Sequence, residues 1–84
     1  MNECFLFIKR ISDVNFKFVI NSKEKSKVLF KAKLLNNSEI EVFAYDNIAD
    51  YIYQKDLDKF FLRGKLRENM QVEIIEIYHF KFLA

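Results

Sequence analysis

From Lys27 to Leu35 apolar and polar residues alternate: Val28, Phe30, Ala32 and Leu34 share one side, with Lys27, Lys31 and Lys33 on the other. A period of two with one polar face predicts a half-buried strand. The turn-forming Asn36-Asn37-Ser38 follows, and Glu39–Tyr45 alternates again with Ile40, Val42 and Ala44 inward. Two such runs joined by a short polar turn predict a hairpin. Upstream, Cys4–Ile11 is a β-rich run closed by Ser12-Asp13, Asn15–Ile20 reads at most as its continuation, and Asn21–Ser26 as a charged, solvated loop. Downstream, Asp46-Asn47 offers a helix N-cap and Asp50 a carboxylate near the positive end of the helix dipole. Ile48 and Ile52, with Tyr51 beside them, share a face at helical spacing, so Asn47–Lys55 is expected to form a short helix, ended by Asp56-Leu57-Asp58. Lys59–Arg67 returns to period two, with Phe60, Leu62 and Leu66 inward and Phe61, Arg63, Lys65 and Arg67 outward. Glu68-Asn69-Met70 turns the chain into a last strand, Gln71–Phe82, whose alternation breaks at Ile74-Ile75 as a β-bulge would break it.

The resulting order, β-β-β-α-β-β, is that of the five-stranded Greek-key barrel known as the OB-fold, although other small β-rich folds share it. Eighty-four residues, about half of them apolar, suffice for one modest core, and residues 1–84 are read as a single domain. Cys4 is the only cysteine, which excludes an internal disulfide and suggests a reduced compartment. The apolar run Cys4–Ile8 is too short to span a bilayer, and the order of charges around it is wrong for a secretory signal. Pro is absent, Gly occurs once, Lys outnumbers Arg eleven to three, and Phe, Ile, Asn and Tyr are abundant. That bias follows codon pressure in an AT-rich genome, such as an organelle or a reduced bacterium.

Two stretches carry a family resemblance. EIEVFAYDNIADYI, from Glu39, and FFLRGKLREN, from Phe60, resemble bacterial single-stranded-DNA-binding proteins. In that family an aromatic ends the third strand ahead of a helix start, here Tyr45 and Ile48-Ala49. A hydrophobic-x-Gly-x-Leu-Arg segment lies in the fourth, here Leu62 to Arg67. The opening Met1-Asn2 and the form MNxCxL look closer still to short plastid-encoded proteins of red algae. The resemblance implies an OB barrel that binds single-stranded DNA in replication or repair, assembles as a homodimer or homotetramer, and resides in a plastid or a bacterial cytoplasm. The chain departs from the pattern at Asp46, where the family usually has Gly, and at Ile8 and Leu57, near two other usual glycines. It also has no Trp and no acidic tail after Phe80-Lys81-Phe82-Leu83-Ala84, so recruitment of partners through such a tail is not expected.

A formal net charge of +2 permits a polyanionic partner without requiring one, so distribution matters more than the total. Placed in OB strand order, the first, second and fourth expected strands carry Lys9, Arg10, Lys27, Lys31, Lys33, Arg63, Lys65 and Arg67. The third and fifth carry Glu39, Glu41, Glu73 and Glu76. One reading is a basic sector that binds phosphates through Lys27, Lys31, Lys33, Arg63, Lys65 and Arg67. The plainer one is a set of solubilising charges, partly paired across strands. Phe43, Tyr45 and Phe61 fall on outward parities beside these cations. They suit stacking on unpaired bases, with Tyr45 at a base-stacking position that the resemblance implies, or equally a subunit interface. Gly64, the lone glycine, reads as a bend or bulge inside a strand.

Catalytic readings lack parts. His79 has no second imidazole, Cys4 reads as a small core hydrophobe, Asp56 and Asp58 as a helix stop, and one glycine cannot build a phosphate loop. No catalytic residue, metal, cofactor, small-molecule substrate or membrane is therefore expected. The expected partner is single-stranded DNA, with single-stranded RNA also open because nothing here reads a 2′-hydroxyl. The rival is a protein–protein module on the same barrel.

Overall fold

A computed structural model describes residues 3–20 and 23–78. Its elements run β1 (Glu3–Arg10), β2 (Asn15–Phe18), β3 (Ser26–Lys33), β4 (Glu39–Tyr45), α1 (Asp46–Lys55), β5 (Lys59–Leu66), a single 3₁₀ turn (Glu68–Met70) and β6 (Gln71–Tyr78). The strands join in the order β1-β5-β6-β4-β3-β2, and β1 also pairs with β3 through Lys9↔Lys33 and Arg10↔Ala32. That last pairing closes a five-stranded ring in which β4–β6 is the one parallel contact among the described strands. The expected OB order is thus present, with one strand added. β2 lies outside the ring along β3, from Asn15↔Leu29 to Phe18↔Ser26. One edge of β3 therefore serves β2 at its start and β1 at its end. Between them the Ser12 hydroxyl accepts from the Lys31 backbone N–H at 2.8 Å, so the gap leaves no orphan donor there.

Alternation places the core where the sequence pattern puts it. Ile8, Val28, Phe30, Val42, Phe60, Leu62 and Ile74 point into the barrel and are almost wholly excluded from water. Each side chain of that size stabilises the fold by about 1.5–3 kcal/mol. Helix α1 packs on β3, β4 and β6, with Ala49 and Ile52 in the same core. It ends at Asp56, whose φ of 49° is left-handed and whose N–H donates to the Ile52 carbonyl. Leu57, next in sequence, is buried.

The bulge in β6 falls at Ile75: Arg63 pairs with Glu76 and Gly64 with Ile74, which leaves Ile75 unmatched. Gly64 faces it without a positive φ, so the requirement for glycine is spatial. A Cβ there would stand 2.6 Å from Val72 Cγ1 and 2.8 Å from the Glu73 carbonyl oxygen.

Three local expectations need correction. Asp46 does not cap α1: the cap position is Tyr45, without a side-chain bond, and Asp46 Oδ1 instead accepts from the backbone N–H groups of Lys25 and Ser26 at 2.6 and 3.3 Å. Tertiary donors outcompete the helix's own. Leu66 is not inward but 43% exposed, because it is the last residue of β5, beside the turn. Arg10 does not present its charge outward. Its guanidinium donates to the Leu57 and Ser12 carbonyls and to Asp56, tying β1 to the end of α1. The expected continuation of the last strand through Phe82, and His79, lie outside the described residues.

Candidate functional site

Directly opposed residues on antiparallel strands put their side chains on one face, about 4.5–5.5 Å apart at Cβ. The outer face of β2-β3-β4 can therefore be read as rows. Lys17, Lys27 and Tyr45 form one row, and Asn15, Leu29 and Phe43 the next. The Lys27 ammonium lies 5.0 Å from the Phe43 ring centre and 5.6 Å from that of Tyr45, and the two rings meet edge to face at 5.7 Å. Cation and rings hold one another in place. Phe43, though outward in parity, is only 7% exposed, whereas Tyr45 is half-buried. Tyr45 is the more accessible ring of this patch and Phe43 the floor beneath it. Lys31 and Lys33 continue along β3, opposite Glu41 and Glu39.

Phe61, Arg63, Lys65 and Arg67 occupy a different part of the barrel. β5 lies between β1 and β6, so β6 separates these residues from the Tyr45 patch. Phe61 packs on Phe7 at 4.7 Å between ring centres. Arg63 donates to Glu3 at 2.8 Å and to Glu76 at 3.4 Å, and Arg67 to Glu73 at 2.6 Å. The hydrogen bond that Arg63 donates to Glu3 raises the Arg63 pKa above its ordinary value against a lesser opposing desolvation. Glu76 lies below the usual glutamate range, chiefly because the Tyr78 hydroxyl donates to it and secondly because of Arg63. Tyr78 is correspondingly raised by that same bond.

The basic and acidic sectors expected from the sequence are therefore neighbours that interlock. Arg63 on β5 and Arg67 just beyond its end are both tied to glutamates. By contrast Lys27, Lys31, Lys33 and Lys65 carry no ion pair among the described residues. One member of the β3 patch was missed from the sequence: Lys17, opposite Lys27. The signal was present in Asn15-Phe16-Lys17-Phe18, whose alternation sends Lys17 outward while Phe16 stacks on Tyr53 of α1 at 4.6 Å.

Among the described residues no three His, Cys, Asp or Glu side chains are grouped to hold a metal. Cys4 is partly buried, with its thiol directed at the Gly64 carbonyl. A cavity of about 310 Å³ between α1 and β6 is walled by Ile48, Tyr51, Ile75 and Ile77, with Asn47 and Glu76 at its rim.

No family model matches the sequence, and no curated protein matches it. Solved structures do. The SSB domain of a Synechococcus sp. protein aligns with a TM-score of 0.77 at 16% identity, over 94% of this chain and 96% of that one. A small single-stranded DNA binding protein from Mycoplasma pneumoniae aligns with a TM-score of 0.62 at 17% identity, over 100% of this chain and 94% of that one. Together with the ring order β1-β5-β6-β4-β3, closed back onto β1, these likenesses establish the fold as an OB barrel of the kind found in SSB domains.

Proposed function

We propose that the chain binds single-stranded DNA, without catalysis, on the outer face of β2, β3 and β4. The observation that carries this reading is the row Lys17–Lys27–Tyr45, with the Lys27 ammonium against both aromatic rings. Phosphates are met by lysines that no carboxylate holds, and an unpaired base by the Tyr45 ring at their side. Such a surface is indifferent to sequence, because every base has a π-face and every nucleotide a phosphate. The solved structures of similar fold, an SSB domain and a single-stranded DNA binding protein, support the same choice of ligand. Protection of exposed strand during replication or repair is the role this activity suits. Lys65 joins the surface directly, and Arg63 and Arg67 join it where phosphate displaces a glutamate, since ion pairs near the surface contribute little.

The test is fluorescence anisotropy with labelled oligo-dT, its RNA counterpart and a duplex at two salt concentrations. Salt-sensitive binding to single strands, well above duplex, is expected. Tyr45→Ala should cost about 1–3 kcal/mol with the salt slope unchanged. Lys27→Gln should flatten the slope by about 0.7. Absence of single-strand binding at low salt would sink the reading.

A second reading draws on one observation of its own. Phe5 is 72% and Leu35 82% exposed, beside Phe7, and that apolar strip suits a protein surface. A homodimer or homotetramer assembled there is compatible with DNA binding on β3; light scattering of Phe5→Ser against the unaltered chain would test it.

A further inference from the structure

The pairing register reveals a concentration of charge that neither the sequence nor the aromatic patch accounts for. At the seam where the barrel closes, Lys9 of β1 is directly opposite Lys33 of β3 on one side and Lys59 of β5 on the other. Three lysines thus stand in one row across three strands. All three face outward, since their neighbours Ile8, Ala32 and Phe60 are buried in the core. Like charges directly opposed across strands destabilise a sheet.

The chain's arginines are neutralised where these lysines are not. Arg10, Arg63 and Arg67 each have a carboxylate within ion-pair distance, whereas Lys9, Lys33 and Lys59 have none among the described residues. Glu39 stands opposite Lys33 on its other flank without closing to a pair, and Asp56 is committed to Arg10. The row lies at the far end of the strand that carries Lys27. From Lys27 past Lys31 to Lys33 the β3 backbone covers about 20 Å, and the outer face has lysine pairs or rows at both ends.

We propose that the Lys9–Lys33–Lys59 row is a phosphate-binding subsite, and that a single strand seated at Tyr45 runs along β3 and crosses the β3–β1 seam onto the start of β5. The inference rests on the reading of the β2-β3-β4 face as a nucleic-acid surface and adds the direction and length of the track. An anionic backbone over the seam relieves the repulsion that the empty sheet carries. The contact is with phosphate alone, so it adds affinity without sequence preference. A probe that covers only the aromatic end never reaches it.

The experiment compares oligo-dT of about 4 and about 12 nucleotides, the range one OB barrel covers, on three proteins: the unaltered chain, Lys9→Gln/Lys59→Gln, and Lys55→Gln as a charge control on α1. The double variant should bind the short probe normally. It should bind the long one on the order of tenfold more weakly near 0.1 M salt, with a slope shallower by roughly 1.4. Its thermal midpoint should hold or rise, because a repulsion has been removed. Undiminished affinity for the long probe would overturn the track while leaving the Tyr45 site intact, and so would an equal loss on both probes or an equal loss in Lys55→Gln. If the unaltered chain bound neither probe, the underlying reading would fall with it.

Discussion

Gly64 shows how much one absent methyl group can decide. Its Cβ position is occupied on one side by the Val72 side chain, which can yield, and on the other by the Glu73 carbonyl oxygen, which belongs to a paired strand and cannot. Gly64→Ala should therefore lower stability by roughly 1–3 kcal/mol, as overpacking does, measured by urea denaturation. An unchanged midpoint would show that β6 shifts freely at its bulge. Near the same bulge, the Tyr78 hydroxyl and Arg63 keep Glu76 ionised below the usual glutamate range. A depressed carboxylate adds stability above its unfolded pKa and loses it as pH falls through the folded one. Tyr78→Phe should move the Glu76 titration upward in carbon-detected NMR, toward the ordinary range; no movement would assign the depression to Arg63. The site was legible at this scale in part. Parity alone brought Phe43 and Tyr45 beside Lys27, but parity says nothing of depth, and the burial of Phe43 depends on neighbours that only tertiary packing supplies.

At the scale of elements, periodicity found β1, β3, β4, β5, α1 and the bulge, because each has one face committed to the core. β2 was legible only as a continuation of the first strand, not as a strand of its own on β3, because four residues give too short a window for a period and its partner lies across a loop. The start of α1 misled for another reason: local capping chemistry competed with the backbone of Lys25 and Ser26 and lost. Asp46 pays for that position with a φ of 55°, a left-handed conformation that favours glycine. The residue departs from the family's usual glycine and yet takes up glycine-like geometry. Asp46→Ala keeps the strain and loses both bonds, so it should cost roughly 1–3 kcal/mol. Asp46→Gly, which loses the same bonds but relieves the strain, should cost less by thermal unfolding, and the reverse order would show that the left-handed conformation carries little strain.

For the whole molecule, the ring order followed from the sequence once the elements were placed, but the distribution of charge did not. Assigning residues to strands separates basic from acidic strands; wrapping the strands into a ring sets them side by side. Lys9, Lys33 and Lys59 are far apart in sequence and adjacent only through closure of the barrel. The same closure governs how the chain reaches its fold. β6, the last described strand, sits between β5 and β4, and the parallel β4–β6 contact joins Glu41–Phe43 to Gln71–Glu73 across an intervening helix and strand. No local hairpin makes that junction. Until β6 is laid in place, both β4 and β5 present unpaired edges. Folding should therefore be gated by this late, long-range step and run in milliseconds to seconds, slower than helical domains of equal size. Stopped-flow refolding of Val72→Ala, which loosens β6, should then show a slower folding limb, and an effect confined to the unfolding limb would place β6 docking after the gate.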